Sequence, residues 1–156
     1  MPAQEEVEAT QLSVGTRLSD GTGEVYTITK SGASKGEVSY TAPKDRKITS
    51  VVVPAVVKLK GITYKVISIR KDAFKNCKKL KKATIGKNIK SIGKNAFYGC
   101  ERLKNIAVKT TKLTAKGIGS KAFAKLHKKL KIKVPKKKLS SYKKYSGKRV
   151  WQERSS

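Results

Sequence analysis

With 156 residues, 37% of them hydrophobic, and a net charge of +28, the chain has room for one compact domain or a short capped solenoid. No apolar run approaches the roughly 18 residues of a membrane-spanning helix, and no basic segment leads into an apolar one in the first twenty residues, so neither a span nor a secretory signal is visible. The charge is unevenly placed: residues 1–57 hold six Lys/Arg against seven Asp/Glu, whereas residues 58–156 hold 32 against three, a net of +29.

Residues 1–10 are acidic, lack an apolar pattern and read as a disordered lead-in. From Leu12 the text changes to short β-type runs separated by turn residues. Asp20-Gly-Thr-Gly marks a turn, Glu24 to Lys30 a strand, Ser31 to Gly36 a loop and Glu37 to Thr41 the returning strand, which Pro43 ends. Residues 11–43 are therefore expected to form a small β-hairpin unit that caps the N-terminal end of the remaining chain. A second hairpin is expected from Val56 to Lys60, a turn at Gly61, and Ile62 to Ile69.

From Ile69 one pattern is written twice. Ile69, Ala73-Phe74, Cys77, Leu80, Ala83 and Ile85 recur without a gap, 23 residues later, as Ile92, Ala96-Phe97, Cys100, Leu103, Ile106 and Val108. A looser copy runs through Ile118, Ala122-Phe123, Leu126, Leu130, Ile132 and Val134, and Ile48, Val51 and Val53 form a degenerate fourth. Self-similarity with a period of roughly 20–29 residues is the signature of a solenoid, and leucine-rich repeats occupy that range. Side chains alternate across a strand, so the pairs Val51/Val53, Ala83/Ile85, Ile106/Val108 and Ile132/Val134 are expected to face the core. Each coil is also expected to carry a short helical turn over Ala-Phe-x-x-Cys, with Asp72, Asn95 and Ser120 as N-caps. After Pro135, the apolar spacing of Leu139, Tyr142 and Tyr145 predicts a cap helix over 135–147, with Leu139 and Tyr142 against the last coil; residues 148–156 are expected to fray. The solenoid itself is expected over 44–134 in about four coils.

The repeat Ile-x-x-x-Ala-Phe-x-x-Cys-x-x-Leu-x-x-Ile-x-Ile resembles the BspA-type leucine-rich repeat, closely over 69–85 and 92–108 and, with flanking caps, over roughly 44–146. Departures are Ala83 in an isoleucine slot, Leu126 in the cysteine slot, and Leu130 one residue late. The resemblance implies a secreted or cell-surface bacterial protein that binds other molecules, often host proteins or other cells. It supplies no catalytic residues to carry over.

Chemistry-bearing constellations are few. Cys77 and Cys100 hold the same slot in successive coils. Two cysteines permit a disulfide by count, but a slot that accepts leucine is an apolar one, which favours buried, reduced thiols. The single histidine, His127, has no second metal ligand or nucleophile beside it, and no phosphate-cradling glycine loop occurs. No enzyme, metal or cofactor is expected.

The lysines carry more information, because a solenoid stacks equivalent positions. Lys79, Arg102 and Lys128 lie five residues past each phenylalanine; Lys81, Lys104 and Lys131 lie seven or eight past it. Two basic ladders are what an anion-binding ridge would need, and also what a lysine-rich composition produces by default. The outward strand residues Val52, Thr84, Asn105 and Ala107 are the face expected to meet a protein partner. The favoured reading is a non-enzymatic extracellular binding or adhesion module, with host matrix or surface proteins, or an anionic polysaccharide or cell-wall polymer, as partner. The alternatives are a nucleic-acid-binding protein and a structural spacer. With 32 lysines, six arginines and 6% aromatic residues, the chain is poor in the forks and stacking platforms that read bases.

Overall fold

The computed structural model describes residues 11–142 and 151–153. β1 (Arg17–Ser19), β2 (Val25–Lys30) and β3 (Lys35–Ala42) form an antiparallel N-terminal unit. β4 (Ser50–Val53) is followed by the hairpin of β5 (Val56–Leu59) and β6 (Ile62–Ile69), as the turn at Gly61 predicts. β7 (Lys82–Ile85), β8 (Ser91–Ile92), β9 (Asn105–Val108) and β10 (Lys131–Val134) come next, then a 3-10 turn at Lys136–Lys138, the helix α1 (Leu139–Tyr142) and β11 (Trp151–Glu153).

Three parallel hydrogen-bond ladders run along the coil axis. The first is the five-stranded sheet β11-β10-β9-β7-β4. Its register sets Val51 beside Ala83 and Ile106, and Val53 beside Ile85 and Val108, all buried. The inward pairs read from the sequence therefore form continuous apolar rows. The second ladder joins Tyr40, Ile69, Ile92 and Ile118: the Arg70, Gly93 and Gly119 N–H groups donate to the Tyr40, Ile69 and Ile92 carbonyls at 2.8, 2.8 and 2.7 Å. The coils approach closely here. A Cβ at Gly93 or Gly119 would collide with the backbone of Lys71 or Lys94 in the neighbouring coil.

The third ladder corrects the sequence reading. The Ala-Phe segments are not helical turns, and Asp72, Asn95 and Ser120 are not N-caps. Phe74 and Asn76 N–H groups donate to the Ala96 and Tyr98 carbonyls, and Phe97 and Gly99 repeat this onto Ala122 and Ala124. Directing alternate peptide groups along the coil axis requires left-handed residues on both sides of the phenylalanine. They are Asp72 and Asn76, Asn95 and Gly99, and Lys121 and Lys125, with φ between 57° and 78°. Aspartate, asparagine and glycine fill four of these six positions because they tolerate that region best.

Inside the ladders an aromatic stack crosses the coils. Tyr40–Phe74, Phe74–Phe97 and Phe97–Phe123 are stacked at centroid separations of 5.0, 4.9 and 5.8 Å, and Tyr26 meets Tyr40 edge-on at 5.4 Å. The N-terminal unit thus continues both the second ladder and the stack. The Tyr26 and Tyr40 hydroxyls leave the core by donating to the Glu24 carboxylate, and burial, reinforced by that carboxylate, pushes both phenols above their ordinary range.

The third ladder is closed by a residue that no sequence pattern singles out. In the first of the Ala-Phe segments, the Ala73 and Lys75 carbonyls have no preceding segment of that kind to serve them. The Arg46 guanidinium donates to them at 2.8 and 3.1 Å. At the other end, Tyr142 is buried and its hydroxyl donates to the Thr110 carbonyl at 3.1 Å, while Leu139 packs against the core. The α-helical part of the expected cap spans only Leu139–Tyr142, and residues 143–147 lie outside the described residues. Trp151–Glu153, within the expected frayed tail, instead pair in parallel with β10.

Two outcomes test this packing. Phe97→Ala should lower stability by about 3–5 kcal/mol, the range for a buried phenylalanine, measured by denaturant unfolding. Arg46→Ala should cost about 1–3 kcal/mol by stranding the carbonyls it serves. Arg46→Lys should recover less than half, because an ammonium lacks the planar fork.

Candidate functional site

The outward face of the five-stranded sheet carries two rows. One is Ser50, Lys82, Asn105 and Lys131; the other is Val52, Thr84, Ala107 and Lys133. The expected protein-binding face therefore divides. Val52, Thr84 and Ala107 lie side by side, Val52 being 60% exposed, whereas Asn105 belongs to the neighbouring cationic row.

The basic ladders are redrawn as well. Lys79, Arg102, Lys81 and Lys104 are exposed at equivalent points, and the Lys104 N–H donates to the Lys81 carbonyl. In the last coil the turn that closes on leucine runs from His127 to Leu130, matching Cys77 to Leu80 and Cys100 to Leu103. One extra residue precedes that turn. Lys129, not Lys128, consequently matches Lys79 and Arg102, and Lys131 sits opposite Asn105 rather than Lys104. The slip also makes His127 the backbone counterpart of the cysteines, and its ring nitrogen accepts the Lys129 N–H at 3.0 Å.

These shifts bring together residues that spacing along the chain keeps apart. A concavity of about 360 Å³ lies over β9, lined by Lys82, Asn105, Ile106, Ala107, Lys109, Lys131 and Lys133. Lys82, Lys109 and Lys133 belong to neither ladder expected from the sequence. Strand alternation, applied strictly from the buried pairs, would have found Lys82 and Lys133. Lys109, one residue past the end of β9, continues the same alternation beyond the buried Val108. Like charges side by side on a sheet repel, and Asn105 separates Lys82 from Lys131 by two strand spacings, about 9.6 Å. That exceeds the screening length of about 8 Å at physiological salt.

The thiols take no part in this face. Cys77 and Cys100 are free and buried, and the Cys100 thiol donates to the Phe74 carbonyl at 3.0 Å. Burial pushes Cys100 up to about 12. Burial raises Cys77 too, opposed by Arg46 beside its sulfur. Among the described residues, no group of His, Cys, Asp or Glu is placed to hold a metal, and no helix is long and apolar enough to cross a membrane.

Parallel strands stacked in register, one per coil, with leucine and isoleucine inside, define a leucine-rich-repeat solenoid. The chain belongs to the BspA type leucine rich repeat family, whose model matches residues 47–148 in six copies. Among solved structures it is similar to a leucine rich cell surface protein from Faecalibacterium prausnitzii A2-165, with a TM-score of 0.55 at 21% identity, over 78% of this chain and 34% of that one. A leucine-rich repeat protein from Bacteroides ovatus matches with a TM-score of 0.42 at 19% identity, over 81% of this chain and 37% of that one. The chain thus spans about a third of the length of either protein. No curated protein matches.

Cys100 gives this packing a pH signature. Its folded pKa lies above the ordinary thiol value, so the stabilisation it contributes is complete below about pH 8.5. That contribution is lost as pH rises toward about 12. The alkaline fall in stability should be shallower in Cys100→Ala than in the parent, as read from melting temperatures across that window.

Proposed function

We propose that the chain is a non-catalytic binding module of a bacterial surface protein, holding an extended anionic partner against its basic repeat surface. The observation that carries this reading is the continuity of the cationic tract. Lys81 and Lys104 border the starts of β7 and β9, and Lys82 and Lys131 follow on the sheet face, one on each side of Asn105. Only three acidic residues occur after residue 57, so little on the repeats can neutralise that tract internally. Cations repeated at coil spacing suit a linear partner such as a cell-wall polymer or a sulfated polysaccharide. The cell-surface character of the Faecalibacterium protein supports the location. The outward Val52–Thr84–Ala107 row, exposed at Val52, favours a second reading, in which a protein partner docks on the sheet face.

Binding through released counterions weakens steeply with salt, and the slope counts the contacts. Affinity should be measured against salt for heparin, teichoic acid and DNA in parallel. A neutralised ladder, Lys79→Gln with Arg102→Gln and Lys129→Gln, should flatten the slope more than Lys136→Gln with Lys137→Gln and Lys138→Gln. Equal losses would mean that the charge acts diffusely. A salt-insensitive protein ligand, lost on Val52→Glu, would support the second reading instead, and preferential binding of DNA would overturn both.

A further inference from the structure

The basic surface is indented over β9. The outward residues of β9, Asn105 and Ala107, are short, while β7 and β10 on its two sides present Lys82, Lys131 and Lys133, and Lys109 closes the end. Short side chains between long ones make a depression, with the backbone at Ile106 as part of its floor. Among the described residues, four lysines and one amide line it, and no carboxylate does. The stems of Lys82 and Lys131 start about 9.6 Å apart. That width admits one compact oxyanion, with a charge-assisted hydrogen bond of about 2.7–2.9 Å on each side.

The donor set narrows the ligand. Ammonium groups are point charges without the planar fork that grips a carboxylate with two parallel bonds. Ammonium groups converging from several sides instead suit a tetrahedral group that accepts along several directions and carries more than one charge. We propose that this concavity is a binding site for a dianionic phosphate monoester group, held by Lys82, Lys109, Lys131 and Lys133 with Asn105 as a neutral donor. The inference deepens the anionic-partner reading and rests on it. It adds a discrete subsite, within the continuous tract, for one terminal or pendant phosphate monoester carried by that partner.

The test uses glycerol phosphate and methyl sulfate as probes, titrated at low salt and followed by the amide resonances of the whole chain. Shifts should centre on Asn105, Ala107 and Lys131. Glycerol phosphate should bind several-fold more tightly at about pH 7.5 than at about pH 5, because its second proton leaves near pH 6. Methyl sulfate should bind more weakly and without that pH dependence. Lys131→Gln should weaken glycerol phosphate about tenfold, as expected for one charge-assisted hydrogen bond. Ala107→Phe fills the depression without changing the charge, and should weaken it at least as much. Lys79→Gln, outside the lining, should change affinity less than about twofold. Equal losses from Lys79→Gln and Lys131→Gln would overturn the site, as would glycerol phosphate affinity untouched by Ala107→Phe in a folded variant. Methyl sulfate binding as tightly as glycerol phosphate would overturn the ligand class. Should Ala107→Phe fail to fold, the two lysine variants still decide. Heparin binding separates this inference from the reading beneath it. If heparin keeps its salt slope while glycerol phosphate does not bind, only the subsite falls; if neither binds, both fall.

Discussion

Everything in this fold depends on the interval between coils. Strands in a sheet lie about 4.7–4.9 Å apart, and the Phe74 and Phe97 rings stack at 4.9 Å. The aromatic stack and the parallel sheet therefore share one repeat distance, and neither is strained to meet the other. A single coil of 23 residues cannot bury its apolar face alone, so the stability of each depends on its neighbours. Where the period lengthens from 23 residues to 26, between Phe97 and Phe123, the ring spacing widens to 5.8 Å and Phe123 is only partly buried.

Stacked coils leave open ends, and the N-terminal end is closed by different chemistry on different ladders. The second ladder continues into β3, which pairs in parallel with β6 and brings Tyr40 into the stack. The third is closed by one side chain, Arg46, whose guanidinium stands where a preceding coil would present N–H groups. The parallel sheet ends at β4, which pairs with β7 alone among the described strands. Arginine suits its position because several donors in one rigid plane can serve carbonyls that are themselves held in line.

The apolar register was legible in the sequence because it repeats. Ile69 and Ile92, Phe74 and Phe97, and the inward strand pairs fall into place from spacing alone, and all are buried. The backbone of the Ala-Phe segments was not legible. Asp72 and Asn95 are common both at helix N-caps and in the left-handed region, and only the bonds to the next coil decide between the two. Lys121, left-handed without being a residue that favours it, gave no warning at all. The site was legible in half. Exposed lysines could be counted, but their rows depend on register, and the slip before Leu130 moved Lys131 across to Asn105. Arg46 reaches a coil some thirty residues away, a contact that no local pattern announces.

The division of labour in this chain explains how so large a charge is tolerated. The apolar slots and the backbone ladders hold the coils together, and among the described residues the buried set contains no lysine or arginine. The cations stand outside, where water and salt screen them. Mutual repulsion among them opposes compaction only weakly at long range, and most strongly where the surface turns inward. Over β9 it turns inward, and among the described residues the lining there offers Lys82, Lys109, Lys131 and Lys133 no carboxylate. A bound anion relieves repulsion at that place more than at any convex part of the same surface. Shape therefore converts a general excess of charge into a local preference, and β9 supplies the shape by placing Asn105 and Ala107 between strands that carry lysine.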